Sequence, residues 1–119
     1  MPEPGTRDLH PGLTDREQRP VIPNQEYAQR LARVQAAMAE VDLDLLIIYG
    51  DDRAVFGPAN TRWLVDYAPH FESVCLAVPV RGLPQAATGA EAESFYLNQS
   101  RLGSVHVVDD FCNPDEEYP

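Results

Sequence analysis

Residues Leu43–Gly50 read LDLLIIYG, and within them Leu45 to Tyr49 form an unbroken apolar run. A run this short, with no polar alternation, predicts a strand covered on both faces and therefore central in an α/β sheet. On that reading Leu46 and Ile47 are both core positions, and truncating either to alanine carries the cost of a buried aliphatic site.

Upstream of this strand, Tyr27, Leu31, Val34, Met38 and Val41 recur at helical spacing. They form one apolar stripe opposite the wet residues Gln29, Arg33 and Glu40, so a helix precedes the strand. Asn24 is placed as its N-cap, and Glu26 in its first turn suits the helix dipole. Residues 1–23 hold five prolines and no sustained apolar period, which predicts a flexible N-terminal arm.

Downstream, Asp51–Asn60 is rich in turn formers, and Asn60 is placed to cap a short helix carrying Trp63 and Leu64. Trp63 reads as a core residue, and Pro69 stops any helix before Phe71. Ser73–Val80 is apolar and β-branched. Arg81-Gly82-Leu83-Pro84 then turns the chain into QAATG, which gives an antiparallel hairpin. Thr88-x-x-Glu91 is a capping-box pattern opening a helix to about Arg101, with Gly103 as its stop, and Val105–Val108 supplies a last strand. Helix, strand, short helix, two strands, helix and strand make a three-layer α/β/α domain with a mixed sheet over residues 24–112.

The chain has 119 residues, enough for one domain with a modest core. Its 19 acids face 9 arginines and no lysine, which argues against nucleic acid and anionic membranes as partners. No apolar run approaches the roughly 18 residues of a membrane span, and no basic-then-apolar leader opens the chain, so the expected location is the cytoplasm. Cys75 and Cys112 repeat neither a disulfide framework nor a metal-ligand spacing. Five acids and no base in 109–119 suggest a solvated exit, with 113–119 as an acidic linker.

Signs of catalysis are sparse. His10, His70 and His106 fall at no mutual ligand spacing, G-x-S-x-G is missing, and the glycines form neither a Walker loop nor a dinucleotide fingerprint. Asp51-Asp52 and Asp109-Asp110 follow strands, where an α/β protein could hold magnesium, yet no base or phosphate donor accompanies them. His70 and Phe71 follow a proline in a loop at the end of a core element, where side chains commonly project into binding sites.

Taken together, EYAQRLARVQAAMAEVDLDLLIIYG, NTRWLVDY and VCLAVPVRGLPQAATGAEAE resemble the N-terminal domain of the creatinase/prolidase/Xaa-Pro aminopeptidase family. Arg30, Leu31, Met38, Leu43, Asp44, Leu46, Asn60, Leu64, Tyr67, Gly82 and Glu91 stand where that family's signatures fall, over Glu26 to Asp110. Trp63, Val65 and Asp66 depart from its Tyr, Thr and Gly, and VFGPA lengthens the loop before Asn60, so the substrate preference of any one member does not transfer.

The resemblance implies a ribonuclease-H-like, three-layer α/β module without catalytic residues or metal of its own. It implies dimerisation and shaping of the substrate pocket of a pita-bread catalytic domain, which this chain does not contain. In the peptidases that domain holds two divalent ions (manganese, cobalt or zinc), and in creatinase none. The parent protein would be a metal-dependent Xaa-Pro dipeptidase or aminopeptidase, or a creatinase-like amidinohydrolase. It would form a homodimer acting on a peptide or a small guanidino or amide substrate. By position, His70, Phe71 and Glu72 are the residues that would reach a neighbouring subunit's pocket. A free-standing interaction module that kept the fold without the enzyme is the alternative.

Overall fold

The computed structural model describes residues 21–53 and 55–112. Most of the expected arm and all of the expected 113–119 linker lie outside these residues; Val21–Pro23 are exposed, with Pro23 in an extended conformation. The described chain forms α1 (Asn24–Glu40), β1 (Leu45–Gly50), α2 (Ala59–Val65), β2 (Val74–Pro79), β3 (Gln85–Thr88), α3 (Glu93–Gln99) and β4 (His106–Val107). A single 3₁₀ turn, Asp109–Phe111, follows. The strands make one mixed sheet in the order β1-β2-β3-β4, with β1–β2 and β2–β3 antiparallel and β3–β4 parallel.

The stripe on α1 behaves as its spacing requires: Tyr27 and Met38 are buried, and Leu31 and Val34 pack partly buried against the core. The cap differs by one residue. Pro23 is the N-cap, and Asn24 begins the helix, its Oδ1 accepting from Arg101 Nη1 at 2.6 Å. At the other end Asp42 turns left-handed (φ 55°) while Leu43 N–H reaches Met38 O and Asp42 N–H reaches Ala39 O. This Schellman closure ends the helix and leaves Val41 exposed beyond the stripe.

β2 carries the core. Val74, Leu76 and Val78 on one face are fully buried, alternating with half-buried Cys75, Ala77 and Pro79. Met38, Leu64, Val65, Tyr67, Ala86 and Tyr96 close on that buried face, so all three helices contribute to a single core on one side of the sheet. Gln35 Nε2 ties α1 to the hairpin by donating to Pro79 O (3.0 Å) and Gly82 O (2.8 Å), and Gly82 provides the turn's positive φ of 94°.

Two expectations are corrected here. β1 is an edge strand, not a central one: Leu46 and Ile48 face the core, whereas Leu45, Ile47 and Tyr49 are 51%, 56% and 54% exposed. A continuous apolar run hides its parity, and the period of two sends Leu46 and Ile47 to opposite faces. The described residues form an α/β domain of three helices and a four-stranded mixed sheet. Trp63 is the second correction. It is 42% exposed on α2 beneath the Arg30 and Arg33 guanidiniums, 5.2 and 6.0 Å from its ring, and Tyr67 takes the core position instead.

The two faces make opposite demands on substitution. Leu76→Ala should lower unfolding free energy by about 2–5 kcal/mol in urea melts, and Ile47→Ala by less than about 1 kcal/mol. Equal losses at the two positions would contradict the one-sided core.

Candidate functional site

The site begins where α2 stops. Asp66 adopts a left-handed conformation (φ 62°), and its carboxylate is held by Arg101 Nε at 2.8 Å while Arg101 N–H donates to Val65 O. The helix therefore ends earlier than Pro69 alone would enforce. Tyr67 then drops into the core with its ring edge-on to Tyr96, centroids 4.9 Å apart, and Pro69 is buried behind it.

His70, Phe71 and Glu72, the three residues singled out by position, form a γ-turn. Glu72 N–H donates to His70 O at 2.8 Å across Phe71, whose φ is 67°. A positive φ is strained for a bulky side chain and persists only where neighbours enforce it. The neighbours are visible: Asp52 Oδ2 accepts the Phe71 N–H at 3.1 Å, and the Glu72 carboxylate accepts the Ala92 N–H at 2.8 Å.

The three side chains part company. Phe71 is 57% exposed with its ring 4.1 Å from that of His70, which in turn lies edge-on to Phe95 at 5.7 Å. Together they make a small aromatic rim. Glu72 is only 2% exposed and points inward, under Gly89, where a Cβ would stand 2.2 Å from Glu72 Oε2. Its carboxylate does the capping that Thr88-x-x-Glu91 was expected to do; Thr88 ends β3 and donates its hydroxyl to Ser73 O. Glu72 thus positions the turn, while His70 and Phe71 present it.

Beside the rim lies a shallow cleft between the end of β1 and the 3₁₀ turn, lined by Tyr49, Arg53, Phe71, Ser73, Asp110 and Phe111. Tyr49 Oη and Ser73 Oγ share a hydrogen bond of 2.7 Å across it. Asp51 is occupied locally, accepting the Arg53 N–H. Among the described residues no group of three or more His, Cys, Asp or Glu side chains is placed to hold a metal ion. Nor is any serine, threonine or cysteine there hydrogen-bonded to a histidine. Cys75 and Cys112 are free thiols, and no described helix is long and apolar enough to cross a membrane. The arrangement can stack against and orient a ligand; it assembles no nucleophile with a base.

Sequence reasoning missed Phe95 and Gly89, and it marked Asp52 as a candidate magnesium ligand where the structure uses it to hold the Phe71 N–H. Asp52 lies 19 positions from its partner Phe71, and Phe95 lies 25 from its partner His70, so folding alone brings them to the turn. Gly89 follows a strand as an ordinary loop glycine would; only the buried carboxylate above it explains the residue.

Behind the rim, burial raises the Tyr67 and Tyr96 phenol pKa values above the ordinary 10.0. Neither buried hydroxyl makes a well-formed hydrogen bond, although the His70 backbone beside Tyr67 and the Ser100 side chain beside Tyr96 partly offset the rise. Because the folded-state values are raised, this contribution to stability is complete below the unfolded pKa near 10 and is lost as pH rises through the folded values.

No known protein family, curated protein or solved structure matches the chain.

Two outcomes follow from the geometry. Tyr67→Phe removes a buried hydroxyl that makes no well-formed hydrogen bond, so it should leave stability within about 1 kcal/mol of the parent and reduce the alkaline loss of stability. Phe71→Gly should raise the unfolding free energy by up to about 1 kcal/mol by relieving the positive φ. A loss of several kcal/mol in Phe71→Gly would show instead that the ring, not the strain, dominates that turn.

Proposed function

We propose that this chain is the non-catalytic N-terminal domain of a creatinase/prolidase-like hydrolase, which supports dimerisation and shapes the substrate pocket of a pita-bread catalytic domain supplied elsewhere. One observation carries most of the weight. A strained turn, clamped by Asp52 and Glu72, holds His70 and Phe71 outward beside a domain with no assembled catalytic group among its described residues. Strain maintained at an exposed aromatic rim is a feature of binding surfaces more than of inert loops.

The strand–helix–hairpin–helix–strand order and the mixed sheet are compatible with that reading. A ribonuclease-H-like, three-layer form of the domain requires further helices, and the apolar row Leu45, Ile47 and Tyr49 is the face they would cover. Any divalent ions belong to the catalytic domain; the residues described here do not fit a metal centre. In the assembled enzyme His70 and Phe71 would contact a peptide or a small guanidino or amide substrate, and Glu72 would hold them in place.

The purified 119-residue chain should hydrolyse no Xaa-Pro dipeptide with or without manganese. In a full-length parent, His70→Ala and Phe71→Ala should change KM or kcat about threefold or more with unaltered melting. Turnover by the isolated chain, or parent-like kinetics in both variants, would contradict the assignment.

A further inference from the structure

The arginines are unevenly distributed. Of the six among the described residues, Arg30, Arg33, Arg62 and Arg101 gather around the rings of Tyr27 and Trp63. The Arg101 and Arg30 guanidiniums lie 4.6 and 4.9 Å from the Tyr27 ring, and those of Arg30 and Arg33 lie 5.2 and 6.0 Å from the Trp63 ring. Four positive charges are thus held together in a chain of formal net charge −10.

Only part of this charge is answered within the fold. Glu26 accepts from Arg30 Nε at 3.1 Å and from Arg33 Nη2 at 3.4 Å, and Asp66 accepts from Arg101 Nε at 2.8 Å. Arg62 is exposed, and among the described residues its side chain has no partner. Two carboxylates therefore answer four guanidiniums, whereas the other ten acids of the described residues are set against only Arg53 and Arg81. Arg30 is also fixed in direction: its side chain is 16% exposed and its Nη1 donates to Trp63 O at 2.8 Å. Little of its freedom is left to lose when an anion binds.

The excess charge borders a trough. A shallow cleft of about 320 Å³ lies between Ile22, Tyr27, Arg30 and Trp63, and a second of about 440 Å³ lies beside Asn98 and Gln99. Arg62 and Asp66 line both, so the two clefts adjoin. Ile22 and Trp63 are 43% and 42% exposed, which sets apolar surface next to the guanidiniums of the first cleft. The side-chain amides of Asn98 and Gln99 supply the second with donors and acceptors suited to a peptide backbone. Asp66 is already engaged by Arg101, which leaves Arg62 to meet an incoming anion.

We propose that this trough binds an extended acidic peptide segment of a partner protein, with its carboxylates on Arg62 and Arg30 and an apolar side chain against Ile22 and Trp63. Guanidiniums suit carboxylates because their planar fork donates two parallel hydrogen bonds. A small inorganic anion would leave the apolar surface and the second cleft unused. A nucleic-acid backbone, charged at every step, would run past the trough onto acidic surface that repels it. The same acidic surface turns the peptide away from the rest of the domain, so the repulsion adds specificity. The trough shares no lining residue with the cleft beside His70 and Phe71, and the inference goes beyond the hydrolase reading and stands with or without it.

Trp63 is the chain's only tryptophan, so its fluorescence reports on the trough directly. The full 119-residue chain is titrated with the end-blocked peptide Asp-Glu-Glu-Leu-Asp-Glu, which has no fluorescent side chain of its own. Tryptophan emission should change and saturate below millimolar peptide, and the Asn98 and Gln99 side-chain amides should shift in nuclear magnetic resonance spectra. The uncharged counterpart Asn-Gln-Gln-Leu-Asn-Gln should bind far more weakly. Arg62→Gln should weaken binding of the acidic peptide about fivefold or more, with melting unaltered because the side chain is exposed and unpaired. Arg81→Gln, at an exposed arginine outside the trough, should bind as the parent does. No response up to millimolar peptide, equal binding of the uncharged peptide, parent-like affinity in Arg62→Gln, or tighter binding of a short oligothymidylate would each overturn the proposal.

Discussion

The period of two along β2 is the constraint on which the rest of the domain depends. Val74, Leu76 and Val78 can be buried together only if one face of the sheet is covered, and the covering is shared by α1, α2 and α3. Because β2 sits between β1 and β3, its parity is transmitted through the register to both neighbours. Leu46 and Ile48 must then face inward, and Leu45, Ile47 and Tyr49 outward. The apolar character of that outward row is surplus to the described core.

The same core sets the geometry of the turn that precedes β2. Tyr67 and Pro69 are anchored on the buried side, and Glu72 is drawn inward to the backbone at Ala92, so the residues between have little freedom. Asp52, carried by the end of β1, closes the frame from the other side. His70 and Phe71 are what remains outside it. A buried carboxylate in such a frame is costly to disturb, since losing either partner leaves a polar group unsatisfied. Gly89 is tied to the same arrangement because any side chain there would displace Glu72.

Much of this was legible in the residues. The α1 stripe, the Gly82 turn, the antiparallel hairpin and the mixed sheet all follow from spacing and turn chemistry acting over a few residues. Burial around β1 was not, because an uninterrupted apolar run contains no polar residue to reveal which positions face out. Trp63 misled for a related reason: size and hydrophobicity favour the core, yet its ring serves as a platform for Arg30. At the turn, position drew attention to His70, Phe71 and Glu72 as a group. Separating the two outward rings from the inward carboxylate needs Asp52, Gly89 and Ala92, which adjoin the turn only after folding. The capping-box pattern at Thr88 shows the same limit, since Glu72 fills that role from a different part of the chain.

One-sided burial is tested most directly by paramagnetic relaxation from a soluble gadolinium chelate on methyl-labelled protein, kept dilute enough to be monomeric. The Leu45 and Ile47 methyls should relax strongly, and those of Val74, Leu76 and Val78 hardly at all, with Leu46 and Ile48 between. Equal protection of Ile47 and Ile48 would contradict it, because β1 would then be covered on both faces.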